Sequence, residues 1–496
     1  MKSFWNDRIS QKKQFPKIKE NIKTSVCIIG GGLTGVSTGY YLSKETDIVI
    51  VEKDKICSST SGANTGKITS QHGIFYNYLI NSNGKEFAKK YLEANEKAIQ
   101  EIEKIIKNEN INCDFEKEDA YVFARNENSI SQIKEEKKAI EKIQKGKALF
   151  VENIDLPIPK AVAIKFENQA KINPVKYAYG LVDCILKNRG EILENSKVTD
   201  INKVGNKYEV YVNQYKITAD YVVVATRYPT INFPGYYFLK MYQSTSYAIV
   251  ADVKEELFDG MYISLDMPVV SFRTINNNGK RLLLVVGYDY KTGVEQVING
   301  YSKLEDLIKK MYPKSEIISK WTAEDCISLD KIPYIGNYSK FMPNVYVATG
   351  FNKWGLTTSN IAANIIKDKI LGKENEYEEI FKSTRLEPIK NKDEVKNMLK
   401  EVKESIILSK FKLPKKHIND IKNGEGKIVK VNNQKVGVYK TELGEIYTVK
   451  PVCTHLGCEL YFNNHDKTWE CPCHGSKFTY DGKAIEVPGI KDLHEY

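Results

Sequence analysis

Two short segments close to the C-terminal end contain the residues best suited to binding a metal. The segment CTHLGC begins at Cys453 and the segment CPCHGS begins at Cys471, in a chain otherwise poor in cysteine and histidine. Cys453-x-His455 and Cys471-x-x-His474 supply two thiolates and two imidazoles. This ligand set can hold tetrahedral zinc. However, each segment contributes one cysteine and one histidine on a short turn, which favours an iron–sulfur centre.

The full pattern C-T-H-L-G-C…C-P-C-H-G-S resembles that of Rieske [2Fe–2S] domains, and the resemblance covers about 416–496. It implies that Cys453 and Cys471 bind one iron and that His455 and His474 bind the other. Neutral imidazoles in place of thiolates raise the reduction potential of such a cluster. Zinc remains the alternative occupant of this site.

The same resemblance implies roles for four more residues. Cys458 and Cys473 hold positions that form a disulfide between the cluster loops in Rieske proteins of respiratory and photosynthetic complexes. Ser476 and Tyr480 match hydroxyl groups that, in high-potential members, donate to a bridging sulfide and to a cysteine sulfur. Because these hydrogen bonds stabilise the reduced cluster, the resemblance implies a potential in the upper part of the Rieske range.

A second chemical motif lies near the N-terminal end. Gly30, Gly32 and Gly35 form G-x-G-x-x-G after the apolar strand at 26–29 and at the start of a predicted helix. This spacing permits a tight turn, close approach of a pyrophosphate and close packing of helix on strand, and the helix N-terminus favours phosphate charge. Glu52 ends the next predicted strand, about 20 residues on, where a carboxylate can bind ribose hydroxyls. The pattern predicts a dinucleotide site for NAD or FAD.

Several further segments favour FAD, because between residues 24 and 372 they resemble the D-amino-acid oxidase and glycine oxidase superfamily of FAD enzymes. These segments are CSSTSGANTGKITSQHG (57–73), INPVKYAYGLVDCI (172–185), YVVVATRYP (221–229), LDKIPYIG (329–336) and YVATGFNKWGLTTSNIAANII (346–366). The resemblance implies a Rossmann-like FAD-binding domain with an inserted substrate domain.

The resemblance also implies which positions contact each part of the cofactor. The predicted contacts are Gly30, Gly32, Leu33, Thr34 and Gly35 for the pyrophosphate, Glu52 and Lys53 for the adenosine ribose, Val198 through its backbone for adenine, Thr65, Gly66 and Lys67 along the flavin, and Gly355, Leu356 and Thr357 at the isoalloxazine. The last three begin a predicted helix, whose dipole would stabilise negative charge on the reduced ring.

The reaction that the resemblance implies is removal of a hydride from a C–N bond α to a carboxylate, with the flavin as the electron sink. A substrate carboxylate would bind an arginine fork, and Arg273 is the candidate because it ends an apolar strand in the presumed substrate domain. His72 is the second candidate and is predicted to lie near the flavin as part of the pocket wall. No residue is predicted to act as a catalytic base, and an amine that arrives neutral needs none.

The two motifs together predict an electron relay. A flavin accepts two electrons at once, whereas a [2Fe–2S] cluster passes one, so a small amine or amino acid would reduce FAD and the cluster would deliver electrons singly to an external acceptor. That acceptor is a quinone, an electron-carrier protein or oxygen. An NAD(P)H-dependent Rieske reductase is one alternative, although no second G-x-G-x-x-G for a nicotinamide nucleotide follows Gly35. A non-catalytic flavin and iron–sulfur redox sensor is another.

Composition narrows the class of protein. The chain has 496 residues, 42% of them hydrophobic, and a formal net charge of +11, with basic residues dispersed apart from KFKLPKKH at 410–417. Dispersed charge argues against a nucleic-acid partner. The sequence has no apolar run long enough to span a membrane and no signal-peptide pattern at its start, so we expect a cytoplasmic protein. Peripheral contact with the inner face of the membrane stays open.

The predicted elements place both motifs in an α/β and α+β protein of several domains. We expect a polar lead-in over 1–23 and an FAD-dependent unit over 24–372, whose substrate part lies mainly at about 75–160 and 230–325. A basic helical linker is expected over 373–415. The turn-rich alternation from 416 onward predicts a small all-β domain that ends at 496.

Overall fold

The computed structural model describes residues 3–8, 13–229, 231, 234–294, 299–385, 417–489 and 491–496. The described α-helices are α1 (Phe4–Asp7), α2 (Leu33–Leu42), α3 (Tyr76–Asn83), α4 (Lys85–Asn108), α5 (Glu127–Ile143), α6 (Pro174–Lys187), α7 (Gly300–Met311), α8 (Gly355–Ile370) and α9 (Glu378–Phe381).

The strands divide between a large N-terminal unit and a small C-terminal one. Those of the N-terminal unit are β1 (Ile22–Ile29), β2 (Ile48–Val51), β3 (Lys67–Ile68), β4 (Glu116–Ala124), β5 (Leu149–Val151), β6 (Val162–Lys171), β7 (Glu191–Leu193), β8 (Val198–Val204), β9 (Lys207–Val212), β10 (Tyr215–Val224), β11 (Met241–Asp252), β12 (Met261–Ser264), β13 (Val270–Asn277), β14 (Lys280–Lys291), β15 (Glu316–Ser328), β16 (Tyr334–Ser339) and β17 (Met342–Thr349). Those of the C-terminal unit are β18 (Gly426–Val431), β19 (Gln434–Lys440), β20 (Ile446–Val449), β21 (Tyr461–Asn463), β22 (Thr468–Glu470), β23 (Lys477–Thr479) and β24 (Ala484–Glu486).

The first sheet carries the glycine motif at its centre. Its main path runs β16–β17–β10–β1–β2–β7, with β1 parallel to both β2 and β10 and with β9 pairing antiparallel to β10. Every residue of β2 is buried, as expected for a parallel strand covered on both faces. Helices α2, α6 and α8 bury their apolar residues against one face. The parallel arrangement brings the loops that follow β1, β2, β10 and β17 to one edge of the sheet.

The second sheet has nine strands in the order β15–β11–β14–β13–β12–β4–β6–β3, with β5 paired to β6. Its pairs are antiparallel except for β12 with β4. Helix α4 lies beside it, where Gln169 of β6 donates to Glu96 Oε1 at 3.3 Å. The helix buries residues at helical spacing, including Leu92, Ile99 and Ile102. The sheet supplies the scaffold for the predicted substrate part of the chain.

The C-terminal unit contains a three-stranded sheet, β18–β19–β20, and a four-stranded sheet, β21–β22–β23–β24. The CTHLGC segment lies between β20 and β21, and the CPCHGS segment lies between β22 and β23. Trp469 in β22 is fully buried and packs on Phe462, with ring centroids 4.7 Å apart. The α/β and α+β fold with a C-terminal all-β domain is therefore confirmed.

The N-terminal lead-in differs from the prediction. Phe4 and Trp5 in α1 are buried, and the Trp5 indole Nε1 donates to the main-chain oxygen of Asn64 at 2.8 Å. The sequence pattern missed this because two aromatic residues among polar ones show no periodicity; only tertiary packing turns them inward.

The predicted linker lies mostly outside the described residues, which omit 386–416 and with them most of the basic patch at 410–417. Its described part contains the short helix α9. Among the residues that are described, no helix is both long and apolar enough to cross a membrane.

Candidate functional site

The glycine turn after β1 has the geometry of a phosphate-binding turn. Gly30 has φ +109°, a conformation that side chains disfavour. A Cβ on Gly35 would lie 1.8 Å from the Gly30 carbonyl oxygen, so only glycine lets α2 pack this closely on the turn. At the start of α2, the Leu33 amide donates to Ser61 Oγ at 2.9 Å. The turn and the helix N-terminus thus face the segment 57–66.

A long cavity runs along this edge of the first sheet. Most of the predicted cofactor contacts line it, namely Gly30, Gly32, Leu33, Thr34, Glu52, Lys53, Thr65, Lys67, Val198, Gly355 and Leu356. Gly35, Gly66 and Thr357 do not line it. The residues brought together are thus those of a pyrophosphate turn, a ribose acid, a polar stretch and a second helix N-terminus, a set that fits FAD.

Glu52 is held by main-chain donors at the end of β2. Its Oε2 accepts from the Gly31 amide at 2.7 Å and its Oε1 from the Asp54 amide at 2.9 Å. Burial raises the pKa of this carboxyl, and the two amide donors oppose the rise. These bonds orient the carboxylate towards the cavity, where a ribose would lie.

Arg273 does not serve the predicted role. It is buried, and its guanidinium donates to the main-chain oxygens of Gly66 (2.8 Å), Ile172 (3.3 Å) and Thr274 (3.2 Å). It also lies over the Trp5 ring, 5.4 Å from its centroid. Burial lowers its pKa to about 10. Because its donors are turned to the backbone and it does not line the cavity, the prediction of a substrate carboxylate fork at Arg273 is wrong.

His72 lies in the core next to the flavin-side segment. One ring nitrogen, Nδ1, is 2.8 Å from the Tyr91 hydroxyl, and the other, Nε2, is 2.9 Å from the Thr69 carbonyl oxygen. Its ring stacks on Trp354 with centroids 4.6 Å apart. Burial lowers its pKa to about 3. With both nitrogens engaged and no place on the cavity lining, His72 is a packing residue and not an acid, a base or part of the wall.

Two other ionisable residues on the cavity wall were missed by the sequence. Asp325 in β15 has its pKa raised to about 6, mainly by burial. Lys353, in the turn before α8, pairs with Asp289 at 2.9 Å and donates to Ser246 Oγ at 3.2 Å. Neither belongs to a local motif. The adjacent acidic residues Glu324 and Asp325 within the strand β15 were the available signal.

The two cysteine–histidine segments meet as the ligand pattern requires. Cys453, Cys471 and His474 are almost fully buried, and the rings of His455 and His474 stand edge to face with centroids 4.9 Å apart. Burial lowers the pKa of His455 to about 4 and that of His474 to about 3. His474 Nδ1 is buried and has no hydrogen-bond partner among the described residues. Two adjacent thiols and two neutral imidazoles are the donor set of a Rieske cluster.

The remaining two cysteines are not ligands. The sulfur atoms of Cys458, Cys471 and Cys473 lie within 4.8 Å of one another, but Cys458 and Cys473 form a disulfide. This bond joins the two cluster loops in the pairing that the resemblance implied.

The two predicted hydroxyl donors have different surroundings. Ser476 donates to Cys453 and, through Oγ, accepts from the Gly489 amide at 2.9 Å. The Tyr480 ring instead packs between Tyr439 and Tyr447, with centroids 5.1 and 4.9 Å away. In the part of the chain that the structure describes, no bond from the Tyr480 hydroxyl to a cluster cysteine is found. The role predicted for Tyr480 is therefore not supported, because its side chain is held by other tyrosines.

The small C-terminal domain docks against the cavity edge of the large unit. Gln243 in β11 donates through Nε2 to the main-chain oxygens of His474 (2.6 Å) and Val487 (2.7 Å). Lys53 donates to the Ile485 carbonyl at 3.1 Å. Glu486 and Val487 themselves line the cavity. The C-terminal domain thus forms part of the wall of the predicted flavin site.

Buried charges cross this contact. Arg227 pairs with Glu486 at 2.6 Å and with Glu324 at 3.6 Å. Lys477 pairs with Glu324 at 2.9 Å and with Glu470 at 3.3 Å, and its side chain is 4% exposed. The pKa of Lys477 is raised by these carboxylates despite its burial. This interface network of five residues alternates in sign, so each charge has an opposite neighbour.

Comparison with known proteins identifies both units. Residues 25–369 match the family described as FAD dependent oxidoreductase, and residues 412–496 match the Rieske [2Fe-2S] domain. The chain belongs to the FAD dependent oxidoreductase family. It carries a Rieske domain at its C-terminal end and resembles the D-amino-acid oxidase and glycine oxidase type, with FAD and a [2Fe–2S] cluster as its cofactors.

The chain is similar to one relative over nearly its whole length and to two other proteins over about three quarters of it. The oxidoreductase is 34% identical over 483 residues to a Bacillus subtilis (strain 168) protein named "Putative Rieske 2Fe-2S iron-sulfur protein YhfW". The match covers 97% of this chain and 95% of the relative. The oxidoreductase is 22% identical to gamma-glutamylputrescine oxidoreductase of Escherichia coli (strain K12), over 72% of this chain and 86% of the relative. The glycine oxidase structure from Geobacillus kaustophilus superposes with a TM-score of 0.62 and 17% identity, over 74% of this chain and 99% of that one.

Proposed function

We propose that this oxidoreductase removes two electrons from a small amine or amino acid at FAD and passes them one at a time through the Rieske cluster to an external acceptor. That acceptor is a quinone, an electron-carrier protein or oxygen. The observation that carries the proposal is the shared wall: Glu486 and Val487 of the Rieske domain line the same cavity as the glycine turn and the helix α8 N-terminus. The domain that carries the cluster ligands therefore borders the cavity that fits FAD, as a relay requires.

The substrate class is supported by the names of the relatives and by the wall residues. Gamma-glutamylputrescine oxidoreductase and glycine oxidase are named for amine and amino-acid substrates. Lys353 places an ammonium group on the cavity wall, where Arg273 was expected to supply the cation. We propose that Lys353 attracts a substrate carboxylate, since a charge-assisted hydrogen bond would orient the substrate.

The chemistry divides between cofactor and protein. FAD, when bound, would supply the acceptor for a hydride from the carbon next to the amine nitrogen. We propose that Asp325 takes the proton that the amine loses, because its carboxyl lies on the cavity wall and its pKa of about 6 suits a base near neutral pH. The substrate leaves as an imine, and the external acceptor receives the two electrons in two one-electron transfers.

The experiment that tests the relay replaces one ligand of the cluster. His474→Ala should leave anaerobic reduction of the flavin by substrate intact but stall reoxidation by the acceptor, because the cluster no longer forms. His465→Ala is the matched control, since His465 belongs to the same domain but lies in the polar turn at 463–467. Stopped-flow absorbance of the flavin follows both half-reactions. Unchanged steady-state turnover in His474→Ala would show that the cluster is not on the path.

An anaerobic titration separates this proposal from the other two functions that the sequence left open. Bleaching of the flavin by amino acids or amines supports the proposed direction. Bleaching by NADH or NADPH alone would favour the reductase, and no bleaching by either class would favour the redox sensor.

A further inference from the structure

One aromatic residue links the cavity wall to a cluster ligand. Strand β10 ends at Val224, and the residues that follow it, Ala225, Thr226 and Arg227, line the cavity. The next residue, Tyr228, is 1% exposed. Its ring lies edge-on to the His455 ring, with centroids 6.4 Å apart and planes at 82°. Arg227 thus lines the cavity, and the very next residue, Tyr228, contacts a ligand of the cluster.

The environment of Tyr228 shows that it faces both sites. Its hydroxyl is buried and has no hydrogen-bond partner among the described residues. Tyr228 packs in the same buried hydrophobic cluster as Cys326, which lines the cavity, while its ring lies against His455 on the other side. A buried hydroxyl without a partner costs about 1–3 kcal/mol. What Tyr228 offers the cluster is its ring, which lies edge-on to the His455 imidazole.

We propose that Tyr228 is the bridge through which electrons pass from the flavin to the cluster by way of His455. The inference rests on the proposed relay and names its route. In each transfer one electron leaves the reduced flavin and enters the oxidised iron pair. The external acceptor reoxidises the cluster before the second transfer, and the two protons from flavin and substrate pass to solvent.

A second candidate electron path from the cavity to the cluster runs through Val487 and Gln243. Val487 lines the cavity, and Gln243 joins its carbonyl oxygen to that of His474. This path reaches the main chain of a ligand residue and must then follow several bonds to the imidazole. Tyr228 meets the imidazole of His455 directly, which makes it the shorter connection.

The test measures the transfer between the two cofactors directly. The flavin of the complete protein is reduced by a light pulse under anaerobic conditions with EDTA as the electron donor, and cluster reduction is followed by absorbance and by EPR of frozen samples. Tyr228→Leu should slow cluster reduction several-fold, because it removes the ring that lies against the His455 imidazole. Tyr228→Phe keeps the ring and should reduce the cluster at close to the wild-type rate. Reduction of the flavin by substrate should be unchanged in both.

Phe238→Leu is the matched control. The Phe238 ring lies edge-on to the other imidazole, His474, at 5.9 Å and 86°, but it does not line the cavity. This variant should transfer electrons at the wild-type rate. The cluster potential and EPR g values, measured by dye-mediated titration, should be the same in all variants, which separates a lost path from a damaged cluster.

Each other outcome has a definite meaning. Equal slowing in Tyr228→Leu and Phe238→Leu, a wild-type rate in Tyr228→Leu, or slowing only in Gln243→Leu would overturn the role of Tyr228. If the wild-type flavin never reduces the cluster, the relay itself fails, whatever the variants do.

Discussion

At the scale of single residues, burial decides what each titratable group in the flavin region can do. His72 and Arg273 are buried with their nitrogens committed to neighbouring oxygens, so their chemistry is used in packing. Asp325 is different, because its carboxyl lies on the cavity wall. Burial raises its pKa, and the positive charges of Lys353 and Arg227 offset this rise only in part. Of these three residues, Asp325 is therefore the one that can exchange a proton with a substrate in the cavity.

Asp325→Asn should remove a pH-dependent step from substrate oxidation. The raised pKa means that the carboxyl is protonated below about pH 6 and becomes a base as the pH rises through that value. The wild-type rate of flavin reduction should therefore rise through about pH 6, and the variant should lack this rise and be slower by about 10²-fold. Rapid-mixing reduction at a series of pH values measures both.

Asp466→Asn is the control for this change. Burial raises the pKa of Asp466 to about 6 as well, but Asp466 belongs to the Rieske domain and does not line the cavity. Its variant should keep the wild-type pH profile. The same loss in both variants would assign the effect to protein stability.

At the scale of elements, the turn after β14 can contact the second cluster loop only because Gly293 has no side chain. Gly293, in the turn after β14, has φ +85°, and its amide donates to Glu470 Oε2 at 3.1 Å. A Cβ at this position would lie 2.3 Å from the main-chain carbon of Cys471. The substrate sheet therefore presses its backbone directly against the second cluster loop.

Gly293→Ala should loosen the docking of the Rieske domain. The new methyl group cannot be accommodated by rotating a side chain, because it meets backbone, so the loop must shift at a cost of about 1–3 kcal/mol beyond the strain of positive φ. Gly205→Ala carries similar strain, with φ +61° and open space around it, and should cost only about 1 kcal/mol. Thermal unfolding and the flavin-to-cluster transfer rate compare the two, and equal effects would argue against a tight contact.

At the scale of the whole molecule, the interface network joins two domains that could each form a core alone. Lys477 stands between Glu324 of the large unit and Glu470 of its own domain, and Arg227 stands between Glu324 and Glu486. Removing one member of a buried network leaves the others as uncompensated charges, which is far costlier than losing an exposed pair. The network therefore couples the stability of the two domains.

Lys477→Met should destabilise the protein by about 3–5 kcal/mol and separate the unfolding of the two domains. Lys483→Met removes an exposed lysine of the same domain, paired with Asp481 at 3.3 Å, and should cost less than about 1 kcal/mol. Denaturant titrations followed by flavin fluorescence and by cluster absorbance report the two domains separately. If both probes show one unfolding transition in Lys477→Met, at the wild-type midpoint, the network does not couple the stability of the two domains.

Much of the site was predictable because its parts are local. Gly30, Gly32 and Gly35 lie within one turn and the start of one helix, and Cys471 and His474 lie on one loop, so spacing along the chain is close to spacing in the fold. The same holds for α4 and α5, whose apolar positions recur at the helical period. The roles assigned to Arg273, His72 and Tyr480 failed where they depended on which way a buried side chain points.

By itself, the sequence determined the two cofactors and the elements that hold them, because ligand type and backbone turn are properties of neighbouring residues. Only the tertiary structure decided that Glu486 and Val487 close the flavin cavity, that Tyr228 meets His455, and that Asp325 and Lys353 share the wall. These pairings join residues up to hundreds of positions apart. They follow from how whole sheets and domains pack, which leaves no periodic or spaced pattern along the chain.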